Sequence, residues 1–128
     1  MNEPAVKKKR ATGQSPTSRT LAELRGLGFE AGVVERRVPN RWDITIDLFG
    51  CIDIVAMREG SGIVGIQATS GGNHAARRSK SLAEPRLRAW LASGGRFEIW
   101  SWSKAGARGA RKLWTLRREE LTLADVAA

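Results

Sequence analysis

The chain has 128 residues and a formal charge of +9, from 22 Lys and Arg against 13 Asp and Glu, which sets one domain with a modest core and favours a polyanionic partner, nucleic acid above others. Its one cysteine, Cys51, excludes an intramolecular disulfide and a cysteine metal cluster, and reads as a small buried residue in a reducing compartment. No apolar run approaches the roughly 20 residues that span a bilayer, and no apolar segment follows the first basic residues, so neither a membrane span nor a secretory signal is expected and the cytoplasm is the default location.

Residues 1–17 read as a disordered basic arm, with Lys7-Lys8-Lys9-Arg10 followed by Gly, Ser, Pro and Thr and almost nothing to bury. Residues 18–128 form the domain. Thr17 or Ser18 caps a helix that carries Leu21, Leu24 and Leu27 and stops at Gly26 and Gly28. A strand is expected over 29–38, ended by Pro39-Asn40. A second runs over 44–57, with Gly50 marking a bend or bulge. The turn Glu59-Gly60-Ser61-Gly62 leads to a third over 63–69. These three read most simply as an antiparallel meander. A helix over 73–92 follows, kinked or divided at Pro85, which fits the first turn of the second half. Ala83, Leu87, Trp90 and Leu91 give it an apolar face, and Gly94-Gly95 stops it. Strands over 96–102 and 112–116 flank a loop from Gly106 to Gly109, and 121–128 is a tail or final turn. The order is α-β-β-β-α-β-β.

The chemistry concentrates on a few polar residues in apolar strands. Asp53 lies mid-strand, where a carboxylate is costly unless it is paired or binds a metal. Gln67 and Thr69 are two apart and share a face. A hairpin through 59–62 places Asp53 across from the Gln67 region. Asp47, six residues before Asp53, joins that face if no bulge intervenes. Oxygen ligands of this kind suit Mg²⁺ or Mn²⁺. The alternative is that Asp47 caps a turn and Asp53 pairs with an arginine.

Positive groups follow at once. Asn73, Arg77 and Lys80 fall on one helical stripe, with His74 and Arg78 beside it. They can grip a phosphate held near Asp53, or form an ordinary solvated face. His74, the one histidine, fits a surface or capping role as well as a ligand role. Ten Lys and Arg lie between 74 and 112 against Glu84 and Glu98. Trp100 and Trp102 share a face with Lys104. A core role is preferred for them over base stacking.

These residues resemble the PD-(D/E)xK nuclease superfamily, in its small resolvase-like branch, over residues 18–118. Members share an α-β-β-β-α-β core with a mixed central sheet. Their motif is an acid on the second core strand and an acid-x-lysine on the third. Asp53 matches the first acid, and Gln67-Ala68-Thr69 stands where the acid-x-lysine belongs. The chain is also similar to small phage-type members with an Asp-Leu-Phe-Gly run, a Gln-x-Thr motif and a basic helix.

The resemblance implies a restriction-endonuclease-like α/β domain, α-β-β-β-α-β(-β), that cleaves DNA with Mg²⁺ or Mn²⁺, at branched or recombination structures. Asp53, Gln67, Thr69 and Lys80 would be catalytic. Asp53, Gln67 and Glu35 would hold the metal, with Glu23 as the other candidate glutamate. Asn73, His74, Arg77, Arg78 and Lys80 would contact DNA. Resolvase-like members often pair to cut two strands, so a homodimer is one state the resemblance allows. Two departures stand out. Gln67 lacks the acid's charge, and Thr69 replaces the lysine, for which Lys80 or Arg77 would substitute from the helix. The alternative is a nuclease-fold DNA-binding protein that has lost catalysis through these two changes. A basic scaffold that binds another protein is the third reading.

Overall fold

Ser15, rather than the expected Thr17 or Ser18, caps the first helix, so residues 16 and 17 belong to the helix and not to the expected arm. The Ser15 hydroxyl accepts a hydrogen bond from the Ser18 amide at 3.1 Å, and Pro16 occupies the first helical position. The structure, a computed structural model, describes residues 14–106, 109 and 111–126, without the side chain of Trp42. The expected basic arm, apart from residues 14–17, and Arg108 lie outside the described residues. Helix α1 spans Pro16–Gly26. The first strands are β1 (Glu30–Val33), β2 (Arg36–Val38), β3 (Arg41–Ile46), β4 (Ile54–Arg58) and β5 (Gly62–Ser70). Helices α2 (His74–Leu82) and α3 (Pro85–Ala92) follow, then β6 (Arg96–Ala105), β7 (Leu113–Leu121) and α4 (Leu123–Val126).

The chain is a mixed α/β domain. Five strands form one sheet in the order β1-β4-β5-β6-β7. Every neighbouring pair is antiparallel except β5 and β6, which run parallel. The parallel pair needs a crossover, and α2 with α3 supplies it. Within this sheet the order is α-β-β-β-α-α-β-β, as the sequence led one to expect. Pro85 divides the expected long helix in two and sits in the first turn of α3, where Glu84 caps it.

Two expected strands are each broken. The run over 29–38 splits at Val34 and Glu35, and its second half pairs with β3 in a separate two-stranded sheet, turned by Asn40 at φ 64°. The run over 44–57 is interrupted between β3 and β4. Phe49 and Gly50 take positive φ (55° and 75°). Leu48 and Ile52 bond to each other in both directions, at 2.8 and 3.0 Å. A tight turn therefore replaces mid-strand backbone. Gly50 was the sequence signal, and its effect is a reversal rather than a bulge.

Strand alternation divides the core between the two faces of the sheet. Leu24, Phe29, Ile54, Ala56, Val64, Ile66 and Trp100 pack together on the α1 side. Cys51, Ile52, Leu87, Phe97, Ile99 and Leu121 pack on the other, with Leu82, Trp90 and Leu91 from α2 and α3. Trp100 is thus core, as preferred. Trp102 is half-buried, and its indole N–H donates to Thr20 Oγ1 at 3.0 Å. Strand β7 runs five residues beyond its expected end at 116, because its charges find partners across the sheet. Arg118 bonds Glu98 at 3.0 Å and Glu120 bonds Arg96 at 3.0 Å.

Gly65 matters to this arrangement. A Cβ there would meet Ile52 Cδ1 at 2.6 Å and Cγ1 at 3.0 Å. Ile52 is fully buried, so the bare strand at Gly65 lets the 48–52 turn lie on the sheet. Gly65→Ala is expected to lower stability by about 1–3 kcal/mol, the usual scale of overpacking. Gly72→Ala, where a Cβ meets nothing within 4 Å, is the control. Urea unfolding of both variants checks the difference.

Candidate metal centre

The 48–52 turn sets Asp47 and Asp53 on either side of its closing bridge. Glu35 arrives from the opposite side. The amides of Val34 and Glu35 donate to the Asp53 carbonyl at 2.8 and 3.3 Å, which continues the β1–β4 ladder one step past Val33 and Ile54. Ligand oxygens of Glu35, Asp47 and Asp53 consequently lie within 4.8 Å of one another. Glu35 is the glutamate the fold selects. Glu23 is exposed on α1 and is not part of this group.

Asp53 is 4 % exposed and Gln67 2 %. They face each other across β4 and β5, one step beyond the Ile54–Ile66 pair. Gln67 Nε2 donates to Asp53 Oδ2 at 2.6 Å, and the Ala68 amide donates to the same oxygen at 2.9 Å. Gln67 Oε1 is buried and has no hydrogen-bond partner. A buried amide oxygen left unpaired is costly. Thr69 is also buried and pairs in register with Ser101 of β6.

Three carboxylates this close resist ionising together. Burial, with the hydrogen bond to Asp47 and the charges of Asp47 and Glu35, pushes the Asp53 carboxyl up to about 8, against the opposing effect of the Ala68 amide. Burial first, then the Asp47 charge, also holds Glu35 above the ordinary carboxylate range, although hydrogen bonds with Asp53 and Thr17 oppose this. Nearby Cys51 is inert. Burial pushes its thiol up to about 12, with the charges of Glu84 and Asp47 adding to it.

Helix α2 turns one stripe inward and another outward. His74 is 2 % exposed, with Nδ1 2.7 Å from Ser101 Oγ and Nε2 2.8 Å from Glu119 Oε1. Both ring nitrogens are engaged, so His74 pins the helix to β6 and β7 and offers nothing to a phosphate. Arg78 donates to Glu119 Oε2 at 2.7 Å and extends the same clamp. Asn73 is exposed and bonds Ser70 Oγ at 3.1 Å. Among the described residues, the Arg77 and Lys80 side chains make no hydrogen bond or ion pair. The Lys80 charge is felt at Cys51, as is that of Asp47, which puts Lys80 on the side of the sheet that carries the turn.

The structure thus brings together Asp53, Gln67 and Glu35 and adds Asp47. It draws His74 and Arg78 into the scaffold. The Thr17 hydroxyl and the His74–Ser101–Glu119 chain were not legible in the sequence, since their partners lie on distant segments. No helix among the described residues is long and apolar enough to cross a membrane. Comparison with protein-family models, with curated proteins and with solved structures finds no match.

A raised carboxyl reverses the usual pH trend. The folded state holds the Asp53 proton more tightly than the unfolded chain, so folding is favoured while that proton is present. Without divalent ions, stability is expected to fall as the pH rises from about 4 to about 8. Asp53→Asn, which is neutral throughout, should lose this component and be more stable than the parent at pH 8. Urea midpoints of both proteins across this range, in EDTA, check it. Parallel pH profiles would rule out Asp53 as the group responsible.

Proposed function

We propose that the chain is a divalent-metal-dependent endonuclease acting on DNA. The observation that carries this reading is the Glu35–Asp47–Asp53 group, with Gln67 bonded to Asp53 through Nε2 and its Oε1 buried and unpaired. The donor set fits the metal. All four groups offer oxygen, three of them as carboxylates, and hard cations such as Mg²⁺ and Mn²⁺ take oxygen ligands. Glu35, Asp47 and Asp53 would hold the ion, with Gln67 contributing through its amide oxygen. When bound, such an ion polarises a phosphodiester and acidifies a water.

The remaining roles fall to the chain itself. The Ala68 amide and Gln67 orient Asp53 by fixing Oδ2. Arg77 and Lys80 draw the phosphate toward the acids and offset its charge. Lys80 takes the place of the lysine that Thr69 replaces. The His74–Glu119–Arg78 clamp holds α2, so that these cations stay on the side of the acids. The net charge of +9 favours approach of a polyanion. DNA-binding without catalysis is the competing reading. It is favoured by Thr69, which offers no ammonium, and by the Gln67 amide N–H aimed at Asp53.

Cleavage of supercoiled, single-stranded and branched DNA, with Mg²⁺ or Mn²⁺ and in EDTA, separates the two. Metal-dependent cutting is expected, and Asp53→Asn and Glu35→Gln should abolish it while leaving binding in EDTA intact. Gln67→Glu should strengthen Mg²⁺ binding, which isothermal titration reads directly. DNA binding without cleavage under any metal would establish the competing reading. Absence of both would overturn the two together.

DNA affinity is expected to fall with salt, each duplex phosphate contact adding about −0.9 to the slope of log K against log salt. Arg77→Ala and Lys80→Ala should each make that slope shallower by about one contact. An unchanged slope in both would remove their proposed role.

A further inference from the structure

We propose that Trp114, with Arg19 and Lys104, forms a stacking platform for unpaired bases of a nucleic-acid strand. Trp114 is 43 % exposed on the outer part of the β6–β7 hairpin, beside Leu113 at 61 %. Exposing this much indole forfeits a large burial gain. Two other tryptophans on this face are treated differently. Trp102 is half-buried and donates its indole N–H to Thr20. Trp100 is 1 % exposed, lies under the Arg118 guanidinium, and donates its indole N–H to Glu98.

The surroundings of Trp114 are cationic. The Arg19 guanidinium carbon lies 3.7 Å from the ring centroid. Lys104 sits directly across the ladder from Trp114, its Nζ 5.7 Å from the same centroid. Among the described residues, neither side chain makes a hydrogen bond or ion pair, and Arg19 Nε is buried without a partner. From residue 103 to residue 118 the sequence has six Lys and Arg and no acid. An indole capped on one face by the Arg19 guanidinium, with Lys104 beside it, is a cationic stacking surface that suits a base joined to its phosphates. A duplex offers phosphates but keeps its base faces stacked inside, so the ring favours an unpaired strand.

The platform lies on the face of the sheet that α1 covers. Arg19 covers Trp114, and Thr20, the next residue of α1, accepts from Trp102. The inference rests on the chain's being a nucleic-acid protein and not on its cutting.

The test is fluorescence anisotropy of the full chain in EDTA, with a labelled single strand, the duplex of the same sequence, and polyglutamate as competitor. Single-stranded DNA and RNA are separate arms. Trp114→Leu is expected to weaken single-strand binding about tenfold, within the range for loss of one base–aromatic stack, and to leave duplex binding within about twofold. Trp114→Phe should recover most of the loss. Thermal unfolding monitors the fold of each variant. Equal loss on single strand and duplex, equal loss in Leu and Phe variants, no loss at all, or competition by polyglutamate as strong as by DNA of equal charge would each overturn the platform. If the parent binds duplex normally and only these outcomes appear, the platform fails alone. If the parent binds no nucleic acid, the underlying reading fails with it.

Discussion

The structure turns on the enforced proximity of three carboxylates, one buried and two half-buried. Glu35, Asp47 and Asp53 place oxygens within 4.8 Å of one another, and Asp53 is almost fully buried. Like charges so placed are destabilising unless a proton or a cation intervenes. A protein selected for stability alone would put apolar groups here, as it does at Ile54 and Ile66 one position away. Backbone bonds from Val34 and Glu35 to the Asp53 carbonyl, and the Leu48–Ile52 closure, hold the acids together against that repulsion. The fold thus bears a local cost to keep the group assembled, a pattern typical of functional sites.

The rest of the scaffold serves that placement. The parallel β5–β6 pair forces a helical crossover, and the crossover delivers α2 directly after Thr69 and Ser70. His74 then fixes α2 by bonding Ser101 and Glu119. The inward stripe of His74, Arg78 and Ser81 leaves Arg77 and Lys80 outward. Gly65 leaves room for Ile52, and Ile52 anchors the turn that separates Asp47 from Asp53. Packing and the placement of the acids are therefore coupled through a few contacts, so a change in the core near Ile52 acts on the acids as well.

Charge is distributed by role. Glu84, Glu98, Glu119 and Glu120 each bond an arginine. The hydrogen bond from Arg78 holds the Glu119 carboxyl below its usual range, with His74 helping against the effect of burial. Hydrogen bonds from Arg86 bring Glu84 down to about 2. Glu35, Asp47 and Asp53 lie against one another, and Glu35, despite the charge of Arg37, and Asp53 shift the opposite way. In a chain of such positive charge, this cluster of acids with acids stands apart from the four glutamates that bond arginines.

The sequence by itself determined the class and order of elements. Hydrophobic alternation and helical spacing are local properties, and Gly, Pro and Ser punctuate them where they stand, so α1, the β4–β5 turn, the break at Pro85 and strand β6 were all legible. It also singled out Asp53 and Gln67, because a polar group in an apolar strand is conspicuous. Only the tertiary structure decided which other acids join them. Glu35 rather than Glu23 was chosen by ladder register, and Asp47 by the left-handed backbone at Phe49 and Gly50. Tertiary structure likewise took His74 and Arg78 out of the cationic stripe, since Ser101 and Glu119, 27 and 41 residues further along, are the partners that claim them. Such pairings depend on how distant segments meet across the sheet, and no local periodicity encodes that.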